Sequence, residues 1–294
     1  MLSERSLEIA RILAGAASIA QRFYGKVHAD LKSDHSLVTE ADRAVEAYVF
    51  SELEKEEAGI RVIGEETFAK KSAAYMDAAL RGKTYIIDPI DGTAMYAHQI
   101  PVWGCILGYA ENGVLQEGGC VIPETGEMLL SSEGKTYYAS DRTVPFDEWD
   151  FNAVLKPLDP PDPEFTDRSL LCISQEIAHS SAALRLHNVA NAFCSSCYLA
   201  VLLATGRTAG AIHNAKLWDY AGILPPLKNL GFVSIPFRGQ GDLLSLRIGA
   251  ENYNQDYASL KAFATVSTFA LARTEETARR IIAGTTLPGG ACHG

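Results

Sequence analysis

Thr84-Tyr85-Ile86-Ile87-Asp88-Pro89-Ile90-Asp91-Gly92-Thr93 is the stretch on which the reading of this chain turns. Thr84 to Ile87 is a short apolar, β-rich run and reads as a buried strand. Pro89 lacks a backbone N–H and ends its ladder, and Gly92 allows an approach of the backbone that a side chain would block. Two carboxylates three positions apart at a strand end, followed at once by a glycine and a hydroxyl, suit hard cations and phosphate. Hard cations take carboxylate and carbonyl oxygens, and the N–H groups of Gly92, Thr93 and Ala94, if they open a helix, offer a positive end to an anion. The same string is also ordinary turn vocabulary, so the surrounding chain has to decide between the two readings.

Two further motifs favour the chemical one. Gly64-Glu65-Glu66 follows the apolar stretch Arg61-Val62-Ile63 and again sets acids at a strand end. Far downstream, Leu217-Trp218-Asp219-Tyr220-Ala221-Gly222 places one acid inside an apolar segment that starts a helix. An acid in such a setting is costly unless it is paired, hydrogen-bonded or bound to a cation.

Glu65-Glu66, the block Asp88 to Thr93 and Trp218-Asp219-x-Ala221-Gly222, in this order and at these separations, resemble the signatures of the inositol monophosphatase family of magnesium-dependent, lithium-sensitive phosphatases. The resemblance extends to Lys32, to Leu37-Val38-Thr39-Glu40-Ala41-Asp42 and to Ala204-Thr205-Gly206, and covers about Ser6 to Phe232. It implies a layered αβαβα sandwich, with an α+β first half and an α/β second half. It also implies hydrolysis of a small phosphorylated metabolite with two or three Mg²⁺ ions. By this resemblance Glu65, Asp88 and the main-chain carbonyl of Ile90 hold a first ion, and Asp88 bridges to a second completed by Asp91 and Asp219. Glu65 and Thr93 then position and deprotonate the attacking water, and the N–H groups of Gly92 and Thr93 hold the phosphate. Glu66 is an accessory acid or a solvated neighbour, Lys32 lies on a loop near an outer metal or is a solvated charge, and Thr93 is alternatively a plain helix cap.

The substrate wall departs from the family. Ala94-Met95-Tyr96 stands where inositol-type members show Thr-Asn-Phe. Ile212, seven residues before Asp219, stands where they carry a glutamate for substrate hydroxyls. Isoleucine accepts no hydrogen bond, so poor turnover of inositol 1-phosphate is expected. His213 is either a replacement polar contact or a satisfied core histidine; Ser174, Ser195 and Ser196 are further candidates for the wall. Alternative substrates are histidinol phosphate, a 3′-phosphoadenosine-type nucleotide or fructose 1,6-bisphosphate. A non-enzymatic alternative is a silent member that binds a phosphorylated metabolite and regulates a partner, although retention of the water-activating residues argues against it.

The composition sets outer bounds. A chain of 294 residues with 47% hydrophobic residues buries a sizeable core, as one large domain or two smaller ones. The formal charge of −10 argues against nucleic-acid binding, which needs clustered Lys and Arg. No apolar run approaches the roughly 18 to 20 residues that span a bilayer, and Glu4, Arg5, Glu8 and Arg11 stand where a signal peptide would be apolar. No membrane contact and a cytoplasmic location are therefore expected. The six cysteines are read as reduced, with Cys194 and Cys197 as buried structural thiols. A homodimer is implied by the resemblance alone.

Along the chain, helices are predicted over Glu4–Phe23 and from an N-cap at Thr39, with Asp42 completing a capping box, to a stop near Gly59. Strands are predicted over Arg61–Gly64, Thr84–Asp88, Trp103–Ala110, Gln116–Ile122 and Glu127–Ser132, with a hairpin at Asn112-Gly113 and a turn at Glu124-Thr125-Gly126. Prolines make Pro145 to Asp167 a linker between a domain over 1–150 and one over 168–284. The second part is predicted as strand Leu170–Ser174, helix Asn191–Ala204, strand Ala209–Ile212 and helix Trp218–Leu230 broken at Pro225-Pro226, with a frayed tail after Gly284.

Overall fold

The computed structural model describes residues 1–26, 29–31, 37–161 and 164–288. A seven-stranded sheet runs in the order Ile60–Gly64, Lys83–Asp91, Gly104–Glu111, Val114–Ile122, Glu127–Ser132, Lys135–Ser140 and Lys156–Pro157. Only its first pair is parallel. Asn112 and Gly113 form the two-residue hairpin between its third and fourth strands, both with positive φ, as the sequence predicts.

The layers follow from strand alternation. Tyr85, Ile87, Leu107 and Val121 point to one face, where they bury Ile9, Leu13, Val45 and Val49 of the helices Glu4–Phe23 and Glu40–Leu53. Ile86, Ile106, Cys120 and Leu129 point to the other face, into a core shared with the helices Ser196–Ala204, Leu217–Ala221 and Leu224–Asn229. Behind those helices lies a five-stranded sheet in the order Ala190–Asn191, Leu171–Ile173, Gly210–His213, Phe269–Ala272 and Val233–Pro236. Its outer face is covered by Gln175–His179 and Glu275–Ala283, with Ile177, Ala278 and Ile281 in the contact. The result is the five-layer αβαβα sandwich.

Several boundaries differ from expectation for identifiable reasons. The strand bearing Asp88 does not stop at Pro89 but continues to Asp91 through an irregular pairing. Residues 145–157 are not a linker. Phe146, Trp149 and Phe151 are buried against the first helical layer, and Lys156–Pro157 closes the sheet edge, where a proline loses no ladder bond. The helix expected from Asn191 starts only at Ser196, because Ser195 caps it by accepting from the Tyr198 N–H. Pro225 and Pro226 divide the downstream helix in two and occupy the first turn of its second part, where no intrahelical N–H is required. Thr285–Thr286 is not frayed but pairs antiparallel with Ala183–Leu184.

Candidate active site

In a regular strand Asp88 and Asp91 would face opposite sides of the sheet. Here Asp88 pairs with Ile106 and Asp91 with Gly104, so three steps on one strand match two on its neighbour. The extra residue at Pro89-Ile90 is a bulge that turns both carboxylates into one cleft. Gly92 then takes φ 82°, and a Cβ there would come within 3.1 Å of the Val102 carbonyl and 3.2 Å of the Cys194 carbonyl. Asp219 arrives from the other side on Leu217–Ala221. That helix lies so close to the first sheet that a Cβ on Gly108 would overlap the Ala221 carbonyl. A carboxylate oxygen from each of Asp88, Asp91 and Asp219 falls within 4.8 Å of the others. Glu65, Ile90 and Thr93 line the same cleft, of about 1020 Å³.

So many acids crowded out of water raise one another's proton affinity. Burial, then the charges of Glu65, Asp91 and Asp219, holds the Asp88 carboxyl well above the usual carboxylate range. Asp219 is pushed up to about 8 by burial, Asp91 and Glu65, against the pull of the Lys216 N–H. Asp91 is raised by burial although four hydrogen-bond contributions from residues 195–197 oppose it. Asp88 Oδ1 is buried with no hydrogen-bond partner. An orphaned carboxylate oxygen beside two further acids, with no His or Cys in the cluster, fits a hard divalent cation.

The supporting contacts explain why the acids stay in place. Asp91 Oδ1 accepts from the Ser196 N–H at 2.9 Å, and its Oδ2 accepts from the Cys197 N–H at 2.8 Å and from Ser195 Oγ at 2.7 Å. Asp91 therefore caps a helix of the second half; the Ser195 hydroxyl, though on the cleft wall, is committed to it, whereas Ser196 gives it only a backbone N–H. Thr93 is the first residue of the helix Thr93–Ala97, with Gly92 at the cap. Its Oγ1 lies 2.9 Å from the Ile90 carbonyl oxygen and 3.4 Å from Asp42 Oδ1, two acceptors for one hydrogen. Asp42 is fully buried, capped by Thr39 through its Oδ2, and raised to about 7 by burial. The capping box is legible in the sequence; that its second oxygen reaches Thr93 is not.

On the substrate wall, Ile212 is not where the sequence places it. It is fully buried among Leu171, Ile177, Ala270 and Ile281 and does not face the cleft; its strand neighbour His213 does. His213 Nδ1 lies 2.7 Å from the Tyr220 hydroxyl, and burial lowers the imidazole to about 4, so it is neutral near pH 7. Ser174 lines the cleft, caps Gln175–His179 and bonds Asn214, which in turn donates to Glu176. Asn214 and Glu176 had no motif to mark them. The five described cysteines are free thiols, and Cys194, expected in the core, is half-buried on the cleft wall. The Glu66 N–H donates to Glu46 Oε2 at 2.8 Å. Lys32 lies outside the described residues.

The inositol monophosphatase family profile matches residues 4–268. The chain belongs to the inositol monophosphatase family. It is accordingly a phosphoric monoester hydrolase of small phosphorylated metabolites. A histidinol-phosphatase of Chlorobaculum parvum is 25% identical over 214 residues, 72% of this chain and 77% of the relative. Inositol monophosphatase 3 of Solanum lycopersicum is 27% identical over 267 residues, 88% and 96% of the two chains. Among solved structures, the IMPase of Thermotoga maritima superposes with a TM-score of 0.68 at 18% identity, covering 96% of this chain and 97% of that one. The extragenic suppressor protein suhB of Bartonella henselae gives 0.70 at 17% identity, over 98% and 100%. These two likenesses establish the shared fold. No helix among the described residues is long and apolar enough to cross a membrane.

Proposed function

We propose that this family member is a Mg²⁺-dependent phosphomonoesterase in which Glu65, Asp88, Asp91, Asp219 and the Ile90 carbonyl hold two divalent ions. The observation that carries the reading is the cluster of Asp88, Asp91 and Asp219, with one buried oxygen unpartnered, at the floor of an open cleft. Ions bound there supply positive charge to the phosphoryl and leaving-group oxygens and acidify water. The chain does the rest. Gly92 and Thr93 open a short helix whose first N–H groups have no partner within it and would hold the phosphate. Thr93 takes a proton from the attacking water as its own passes toward Asp42, with Glu65 orienting that water. The Ile90 carbonyl has a second lone pair for an ion beside the one engaged by Thr93.

For the substrate, the wall formed by Ser174, Asn214 and Glu176 favours a leaving group with a cationic or hydrogen-bonding arm. Glu176 is the wall carboxylate outside the metal cluster, and histidinol phosphate carries an ammonium group that would match it. The relatives include histidinol-phosphatases from Chlorobaculum parvum and Mycobacterium tuberculosis. The test is phosphate release from histidinol phosphate, inositol 1-phosphate, 3′-phosphoadenosine compounds and fructose 1,6-bisphosphate, with Mg²⁺ and with chelator. Release from histidinol phosphate that requires Mg²⁺ is expected. Equal release in chelator would overturn the metal reading, and preference for inositol 1-phosphate would overturn the substrate reading.

A further inference from the structure

The helix Glu40–Leu53 buries two acids on its inner face, one turn apart. Asp42 is used by Thr93, whereas Glu46 has so far been given no part beyond accepting the Glu66 N–H. Glu46 is 1% exposed, and its Oε1 is buried without a hydrogen-bond partner. Its Oε2 accepts the N–H of Glu66 at 2.8 Å, at the turn that follows the strand Ile60–Gly64. The strand end is shaped to admit this carboxyl group. Gly64 has no side chain, and a Cβ there would run into all three carboxyl atoms of Glu46. A buried carboxylate is expensive, and a hydrophobic residue in its place would pack without that cost. What the acid provides is an anchor for a backbone N–H immediately after Glu65.

We propose that Glu46 is a positioning residue for the metal-binding acids: through the Glu66 N–H it fixes the Glu65-Glu66 turn and so aims the Glu65 carboxylate into the cleft. The inference rests on the reading of Glu65 as a metal ligand. Groups that orient a ligand from behind commonly change metal affinity by about 10- to 100-fold when removed. Glu46→Ala removes the acceptor. Gly64→Ala displaces the same carboxyl group without altering any acid, and Glu46→Gln keeps an oxygen able to accept the Glu66 N–H.

The experiment is calorimetric titration of Mg²⁺ into chelator-stripped wild type and these three variants, with thermal unfolding recorded in chelator. Expected are a weakening of Mg²⁺ binding by about tenfold or more in Glu46→Ala and in Gly64→Ala, and near-wild-type binding in Glu46→Gln. A purely structural role would lower the unfolding temperature and leave affinity unchanged, and that result overturns the proposal. If Glu46→Ala does not fold, Gly64→Ala set against Glu46→Gln decides alone: weakened binding in the first only supports the proposal, and equal binding overturns it. Failure of the wild type itself to bind Mg²⁺ would instead overturn the metal reading beneath it.

Discussion

Asp88→Asn and Asp91→Asn should have opposite effects on the metal-free protein, although both carboxylates sit in the same cluster. Each substitution removes an ionisable group from a crowded, poorly solvated cluster of acids, and that relief is stabilising. Asp88 Oδ1 has no hydrogen-bond partner to lose. Asp91, by contrast, accepts from two backbone N–H groups and the Ser195 hydroxyl across its two oxygens. An asparagine has one oxygen, so its NH₂ must face at least one N–H of the helix it capped. That orphaned donor costs about 1–3 kcal/mol, and the surviving bonds lose their charge assistance, which is roughly half their strength. The two variants should therefore differ by about 3 kcal/mol, or roughly 5 °C in Tm for a chain of 294 residues. The assay is thermal unfolding in chelator at neutral pH. Asp88→Asn is expected at or above the wild-type Tm and Asp91→Asn clearly below it; equal values for the two would refute the assignment of Asp91 as the cap that joins the halves.

Other consequences follow from the same geometry. Folding raises Asp219 from 3.8 to about 8, so between these values the native state holds more protons than the unfolded chain and stability falls as pH rises. In chelator the Tm should decline from pH 5 to pH 8.5, and saturating Mg²⁺ should remove the decline; a flat profile in chelator would contradict the crowding of acids. Thr93→Val should lower kcat by about 10²-fold or more, the range of a lost general base, with Mg²⁺ affinity in calorimetry unchanged. Ile212→Glu puts an uncompensated charge into the core and should cost on the order of 3–5 kcal/mol in denaturant titration, with no gain in hydrolysis of inositol 1-phosphate. A stable Ile212→Glu variant with such a gain would return Ile212 to the cleft wall.

The chemistry was more legible in the sequence than the wall around it. Acids inside apolar runs, as at Asp88 and Asp219, announce themselves because nothing in a core tolerates them without a partner. The capping box at Thr39 and Asp42 and the hairpin at Asn112-Gly113 are local devices, and local spacing suffices to find them. Counting back from Asp219 says nothing of strand alternation: in Gly210–His213 the pleat turns Ile212 to the outer helices and His213 to the cleft. The prolines at 145 and 157 suggest a linker until the burial of Phe146, Trp149 and Phe151 shows what they punctuate. The bulge between Asp88 and Asp91 and the cap that Asp91 makes on a helix more than a hundred residues away are products of long-range pairing, which no window of sequence contains.

The most direct test of the account is the number of ions the cleft holds. Calorimetric titration of Mg²⁺ into stripped wild-type protein in the presence of inorganic phosphate should give two ions per chain, and Asp219→Asn should lose one while keeping its fold. A wild type that binds no Mg²⁺, or an Asp219→Asn variant that binds as the wild type does, would contradict the claim that these carboxylates form a two-metal centre.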